Sequence, residues 1–184
     1  MLNAEFYALD FIHNHLASPI MDRIMVFLTT LGNGGAIWII LTLLLLCSKK
    51  YRKTGVMLAV GLVLGLVSGS AVLKPLIARL RPFQIKEGIE LLIRAPRDFS
   101  FPSGHTLSSV ICAVILLVEY KEAGYYAAVL AFLIAFSRLY LYVHFPTDVF
   151  GGIVLGIILG YVSIKLVNFL FQKNSRHINS KSSS

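Results

Sequence analysis

Residues 102–118 read PSGHTLSSVICAVILLV, an uncharged and largely apolar run headed by Pro102, Ser103, Gly104 and His105. An imidazole at the mouth of an oily segment is the pattern on which the fold turns, because it recurs. Lys74, Arg81 and Pro82 follow the apolar run 55–73, and Ser137, Arg138, His144 and Asp148 lie between the runs 123–137 and 149–164. An ion buried in a bilayer costs several kcal/mol, so ionisable groups at the ends of spans are candidates for function.

Working outward, the whole chain is as apolar as its centre. Hydrophobic residues make up 57% and charged residues 14%, with a mean hydropathy of +0.76. That composition predicts an all-α integral membrane helical bundle, one domain over residues 1–172, with a disordered cytoplasmic tail over 173–184. Five runs (34–48, 55–73, 103–118, 123–137 and 149–164) read as clear spans. Each is a little short of the ~20 residues a crossing needs, a gap that flanking residues and snorkelling cations fill.

The first thirty residues are different. Residues 2–16 have the spacing of an amphipathic N-terminal helix, broken at His13, Asn14 and His15. Residues 20–31, after Pro19, read either as a tilted sixth span entered from the cytoplasm or as a re-entrant hairpin, with Gly32-Asn33-Gly34-Gly35 as the turn into the next helix. No cation precedes Arg23, so the basic n-region of a secretory signal is missing and the first segment is expected to stay in the protein. Gly61, Gly65 and Gly69, like Gly152, Gly156 and Gly160, recur every four residues and predict close packing within the bundle. Cys47 and Cys112 both sit in apolar runs, which predicts two packed thiols with no disulfide or metal role.

The net charge of +8 does not read as a nucleic-acid surface, since its cations form no stripe with exposed aromatics. They sort instead by side of the membrane. The short loop Lys49-Lys50-Tyr51-Arg52-Lys53 is of the kind retained in the cytoplasm. Alternation then puts Lys121, Lys173, Arg176 and Lys181 inside and all three polar clusters outside. The expected location is a cell membrane, multi-pass, with the site on the outer face and the C-terminus cytoplasmic.

Each cluster has its own chemistry. Lys74 and Arg81 are seven residues apart, about two turns of one helix, which puts two cations on one face before Pro82 stops it. A forked guanidinium and a point-charge ammonium together suit a multiply charged anion. Ser103-Gly104-His105 after Pro102 reads as a helix N-terminus with free amides for an anion, and equally as a plain cap. The cap reading does not need His105, which is placed to pass a proton. His144 and Asp148 have the i, i+4 spacing that lets a carboxylate fix an imidazole, leaving the other ring nitrogen as a nucleophile. Among the remaining groups, Asp98 with Glu87 and Glu90 reads as a solvated loop face, and no metal cluster is expected. In the loop 83–101, Ile89, Leu91, Leu92 and Ile93 are expected to dip into the membrane interface, with Arg94 and Arg97 as contacts for a second anionic group.

Taken in order, Lys74-x6-Arg81-Pro82, Pro102-Ser103-Gly104-His105 and Ser137-Arg138-x5-His144-x3-Asp148 resemble the three-part signature of the type 2 phosphatidic acid phosphatases, the lipid phosphate phosphatase superfamily, with no departure at a motif position. The resemblance implies that His144 attacks phosphorus, oriented by Asp148, and forms a phosphohistidine. It implies that His105 protonates the leaving oxygen and then helps to activate water. Lys74, Arg81, Ser103, Gly104 and Arg138 would hold the phosphoryl oxygens, with no cofactor. Small bacterial members resembling this chain act on undecaprenyl diphosphate or phosphatidylglycerophosphate. The expected partners are therefore a membrane lipid phosphate and the bilayer, with undecaprenyl diphosphate as the first substrate. A phosphatidylglycerophosphate or broad phosphatidate phosphatase is the alternative, and a non-catalytic lipid-phosphate binding or transport protein is the alternative from another class.

Overall fold

The computed structural model describes residues 2–182, with side chains as far as 173, and among the described residues all regular structure is helical. Four apolar segments are long enough to cross a bilayer, Pro19–Cys47, Arg52–Ile85, Lys121–Tyr140 and Pro146–Lys173, and Gly104–Glu119 is apolar but shorter. The expected disordered tail over 173–184 falls, past Lys173, outside the described side chains and, at 183–184, outside the described residues.

Helix α1 (Leu2–Leu16) lies against the polar end of the bundle. Its Leu9 is buried with Tyr142 and Phe145, and its Asp10 takes hydrogen bonds from Lys86 at 2.7 and 2.8 Å and from the Tyr142 hydroxyl at 2.7 Å. Helix α2 (Pro19–Gly32) starts where Ser18 caps the Met21 N–H and Pro19 takes the first position. It joins α3 (Ala36–Cys47) through a kink at Gly34 and Gly35, whose φ of 59° and 74° lie in the left-handed region.

Contacts along this unit run in one direction. Asn33 meets His105, Trp38 donates its indole N–H to Ser109 at 2.9 Å, and Leu46 abuts Gly55. Helix α3 therefore descends along the next apolar helices. The segment 20–31 lies within Pro19–Cys47, one apolar stretch long enough to cross a bilayer.

Helix α4 (Arg52–Gly65) passes through a π-helical stretch, Leu66–Leu73, into the single turn α5 (Lys74–Ile77). The chain leaves the helix at Ala78, which is left-handed with φ 48°. Arg81 is extended, and Pro82 opens another single turn, α6 (Pro82–Ile85), with the Gln84 side chain accepting the Arg81 N–H at 2.8 Å. This corrects the expectation of two cations stacked on one helix. The helix ends at Ile77, five residues before Pro82, and the proline starts a turn because its missing N–H is harmless at a first helical position.

Helix α7 (Gly104–Glu119) packs against α3, α4, α8 (Lys121–Tyr140) and α9 (Pro146–Ser182). The small-residue faces let these neighbours approach. A Cβ added at Gly61, Gly65 or Gly69 would stand 2.6, 2.7 or 2.5 Å from side chains of α7, and at Gly156 or Gly160 it would stand 2.8 or 2.9 Å from Val110 or Val114. Such overpacking costs about 1–3 kcal/mol, so the glycine pattern serves packing within the bundle as expected. Cys112 is buried in the core, whereas Cys47 is exposed near the end of α3, which corrects the expectation of two packed thiols. Leu43, Leu66, Phe132 and Phe169 face outward from the bundle, as a surface solvated by lipid tails requires.

Candidate active site

The polar residues that precede or follow the apolar runs converge at one end of the bundle. Between α8 and α9, residues 141–145 form a buried loop, closed by backbone bonds from Tyr142 to Leu139 at 3.0 Å and from Val143 to Arg138 at 3.2 Å. Pro146 starts α9, and Asp148 reaches back to accept the Phe145 N–H at 2.8 Å, half of a capping box. This local folding fixes His144, which is 1% exposed, beside Asp148.

The i, i+4 spacing brings His144 Nδ1 to 3.5 Å from Asp148 Oδ2, a long contact. Ser100 stands between them, donating its hydroxyl to Asp148 Oδ2 at 2.5 Å with its oxygen 3.3 Å from His144 Nδ1. On the far side of the ring, Arg81 Nη1 is 3.1 Å from Nε2 and also donates to the Val143 carbonyl at 2.7 Å. Burial, followed by the charges of Arg81, Arg138 and Lys74, holds the imidazole well below its ordinary pKa. His144 is therefore a neutral base at pH 7.

Lys74 and Arg81, both buried, share Asp98. Lys74 forms an ion pair with its carboxylate, Arg81 Nη2 donates to it at 2.7 Å, and Arg81 Nε donates to its backbone carbonyl at 2.9 Å. Asp98 is thus not the solvated loop carboxylate expected. Burial pushes it up, but the two cations outweigh that and bring its pKa down to about 2. It is the counter-ion that a pair of buried cations needs when no other anion is bound. Its side chain is 53% exposed, in contrast to the two cations it holds.

The other predicted residues fall as follows. His105, half-buried at the start of α7, has Nε2 3.0 Å from the Asn33 side-chain oxygen. Arg138 is buried with Nη1 on Thr29, and its Nε has no partner among the described residues. An orphaned guanidinium N–H deep in a site marks a place for an acceptor. Ser103 is buried and takes bonds from the Thr106 hydroxyl at 3.0 Å and N–H at 3.5 Å, so its oxygen caps α7. Ser137 bonds within its own helix to Ile134.

A cavity of about 740 Å³ joins Lys74, Arg81, Gly104, His105, Arg138 and His144. Arg94 lines it and Arg97 does not. The loop 83–101 also departs from expectation. Ile89, Leu91 and Ile93 pack onto the buried loop 141–145 and its neighbours, leaving only Leu92 of that set exposed. Those side chains serve to hold the loop over the site.

Sequence reasoning did not single out Ser100, Asn33, Thr29 or Arg79. Arg79 donates to Asp148 Oδ1 and Thr147 at 2.6 Å each and to Glu5 at 2.6 Å, and lies over the Phe145 ring. Ser100 and Arg79 stand two residues from Pro102 and Arg81, and that adjacency was their only signal.

A cradle of cations around a neutral imidazole, at one end of a membrane helical bundle, is the arrangement of a membrane phosphatase. The PAP2 superfamily matches residues 52–172, and the chain belongs to that superfamily. It is similar to an undecaprenyl-diphosphatase of Sulfolobus acidocaldarius, with 36% identity over 155 residues covering 84% of this chain and 73% of that protein. It is also similar to the undecaprenyl-diphosphatase BcrC of Bacillus subtilis, 28% identical over 169 residues covering 90% of this chain and 83% of that one. Among solved structures, the crystal structure of Aquifex aeolicus LpxE aligns with a TM-score of 0.76 and 31% identity, covering 87% of this chain and 94% of that chain. The protein is a phosphate-ester hydrolase of this family.

Proposed function

We propose that the protein removes phosphate from a lipid diphosphate, undecaprenyl diphosphate first, through a phosphohistidine on His144 at the outer leaflet. The observation that carries this reading is the shape of the cavity. One end is the cationic cradle, and the rest continues between α3 and α4 past Ile39, Leu43, Leu62, Val63 and Leu66. A charged headgroup and a long apolar chain are accommodated together, which a soluble ester does not require. Arg94 at the mouth is placed for a second phosphate, whereas Arg97, outside the lining, drops out of the site. The names of the two curated relatives favour the same substrate.

In this reading His144 Nε2 attacks phosphorus, and the Arg81 N–H that rests on Nε2 moves to a phosphoryl oxygen. Lys74 leaves Asp98 for the same group, and the unpaired Nε of Arg138 supplies a further donor. His105 gives a proton to the leaving oxygen, then takes one from the water that hydrolyses the phosphohistidine. The cations supply the charge stabilisation, so no metal enters the scheme. The loop Lys49–Lys53, at the end of the bundle opposite the site, supports the assignment of the site to the outer face.

The test is phosphate release by the purified protein in detergent with EDTA, across undecaprenyl diphosphate, phosphatidylglycerophosphate, phosphatidate and a soluble ester. Preference for the diphosphate, with an acid-labile and base-stable phosphoenzyme on rapid quench, is expected. Equal turnover of the phospholipids would move the substrate to the broad lipid phosphatases, and turnover abolished by EDTA would overturn the metal-free scheme.

A further inference from the structure

We propose that Ser100 is a positioning residue for the nucleophile, its hydroxyl bridging Asp148 to His144 and holding the imidazole with Nε2 free to attack phosphorus. The inference rests on the reading of His144 as nucleophile and adds a residue to it.

Proton bookkeeping carries the argument. A serine hydroxyl has one proton and two lone pairs, an ionised carboxylate only accepts, and a guanidinium only donates. The 2.5 Å contact with Asp148 Oδ2 therefore uses the Ser100 proton. What Ser100 turns toward His144 Nδ1, 3.3 Å away, is a lone pair, so Nδ1 is the protonated nitrogen. The opposite side of the ring gives the same answer independently. Arg81 Nη1, 3.1 Å from Nε2, has a proton to give and no lone pair to offer, so Nε2 is bare.

Asp148 stands farther from the ring than the serine does. Its Oδ2 is 3.5 Å from Nδ1 and already accepts from Ser100 and from the Phe145 N–H, while Oδ1 is engaged by Arg79. The serine gives the carboxylate a second route to the ring.

The segment is pinned on both sides of Ser100, as a positioning role requires. The Ser100 N–H donates to the Arg79 carbonyl at 2.8 Å, and the Ser103 N–H donates to the backbone carbonyl of Asp148 itself at 3.1 Å. Two residues before Ser100, Asp98 is tied to Arg81. Ser100 is wholly buried, so no water competes for the hydroxyl.

In the step itself the Nε2–P bond forms, the bond from phosphorus to the leaving oxygen breaks, and the leaving oxygen takes its proton from His105. The Nδ1 proton stays where it is. The ring becomes positive, and the Ser100 oxygen, polarised by Asp148, faces that charge.

The experiment compares Ser100→Ala, Ser100→Thr and Ser100→Cys in the full-length protein in detergent. It measures thermal melting, KM and the single-turnover rate of phosphoenzyme formation, with His144→Ala alongside. Ser100→Ala is expected to lower the rate of phosphoenzyme formation by about 10- to 100-fold, the usual effect of removing the second hydrogen bond of a working imidazole. KM should stay within about two-fold, because no group touching the phosphate has changed. Ser100→Thr, which keeps the hydroxyl, should recover most of the rate, and Ser100→Cys should not. If Ala proves too unstable to assay, the contrast between Thr and Cys decides. A folded Ser100→Ala protein with a rate within two-fold of the parent, or equal rates for Thr and Cys, overturns the proposal. If His144→Ala still forms the phosphoenzyme, the nucleophile reading fails first and takes Ser100 with it. If phosphoenzyme needs His144 and not Ser100, only the inference made here is lost.

Discussion

The two histidines of the site stand in opposite kinds of surroundings. His144 sits in a loop buried at every residue and is met from residues 81, 100 and 148, three separate stretches of the chain. His105 is half-buried on the first turn of a helix, where its ring meets the side chain of Asn33, which comes from a kink built of glycines. In the proposed scheme the difference suits the two roles: an attacking atom must be aimed, because misplacement by 1 Å can cost about 100-fold, whereas a proton donor must serve first the departing lipid and then a water.

The largest break in that contrast is His144→Ala, expected to remove at least about a thousand-fold in kcat in the protein that remains folded, as loss of a covalent nucleophile does. Full phosphate release by this variant would end the assignment. His105→Ala is expected to lose about 100-fold on a lipid phosphate. In the half-reaction that forms the phosphoenzyme it should lose much less on an aryl phosphate, whose leaving oxygen needs no proton, and an equal loss on both in that half-reaction would assign His105 to binding. Asn33→Ala removes one neutral hydrogen bond and should lower kcat about five-fold, corresponding to ~1 kcal/mol; a loss as large as that of His105→Ala would show that His105 is as rigidly held as His144. The smallest effect belongs to Asp98→Asn. By removing the resident anion from Lys74 and Arg81, it should tighten inhibition by inorganic phosphate up to about five-fold, the ~1 kcal/mol of a partly exposed ion pair. Weaker inhibition would make Asp98 a support for the cradle and not a competitor within it.

Much of this was legible before the structure, for a physical reason. In a membrane chain every charge has a cost to explain, so Lys74, Arg81, His105, Arg138, His144 and Asp148 stood out against apolar runs. The same contrast marked the helices, and the four-residue glycine spacing marked the close contacts of α4 and α9 with α7. What stayed hidden depended on backbone that no spacing encodes. The left-handed Ala78 breaks the helix between Lys74 and Arg81, and nothing about an alanine announces that. Asp98 looked solvated because its partners are 17 and 24 residues away and arrive by way of that same break. Ser100 carries no charge, so the test that exposed the others passed over it. The run 20–31 was too short for a crossing on its own, and the helical continuation through the kink at Gly34 into α3 is what joins it to a stretch long enough for one.

Arg79 holds Glu5, from the first turn of the first helix, and Asp148, from the first turn of the last. A ribosome makes those two carboxylates far apart in time. The emerging chain offers Arg79 its early partner long before the late one exists, and the ring of His144 is made only a few residues ahead of the carboxylate that steadies it. With His144 as the proposed nucleophile, hydrolytic competence is therefore expected to wait until the final helix has docked.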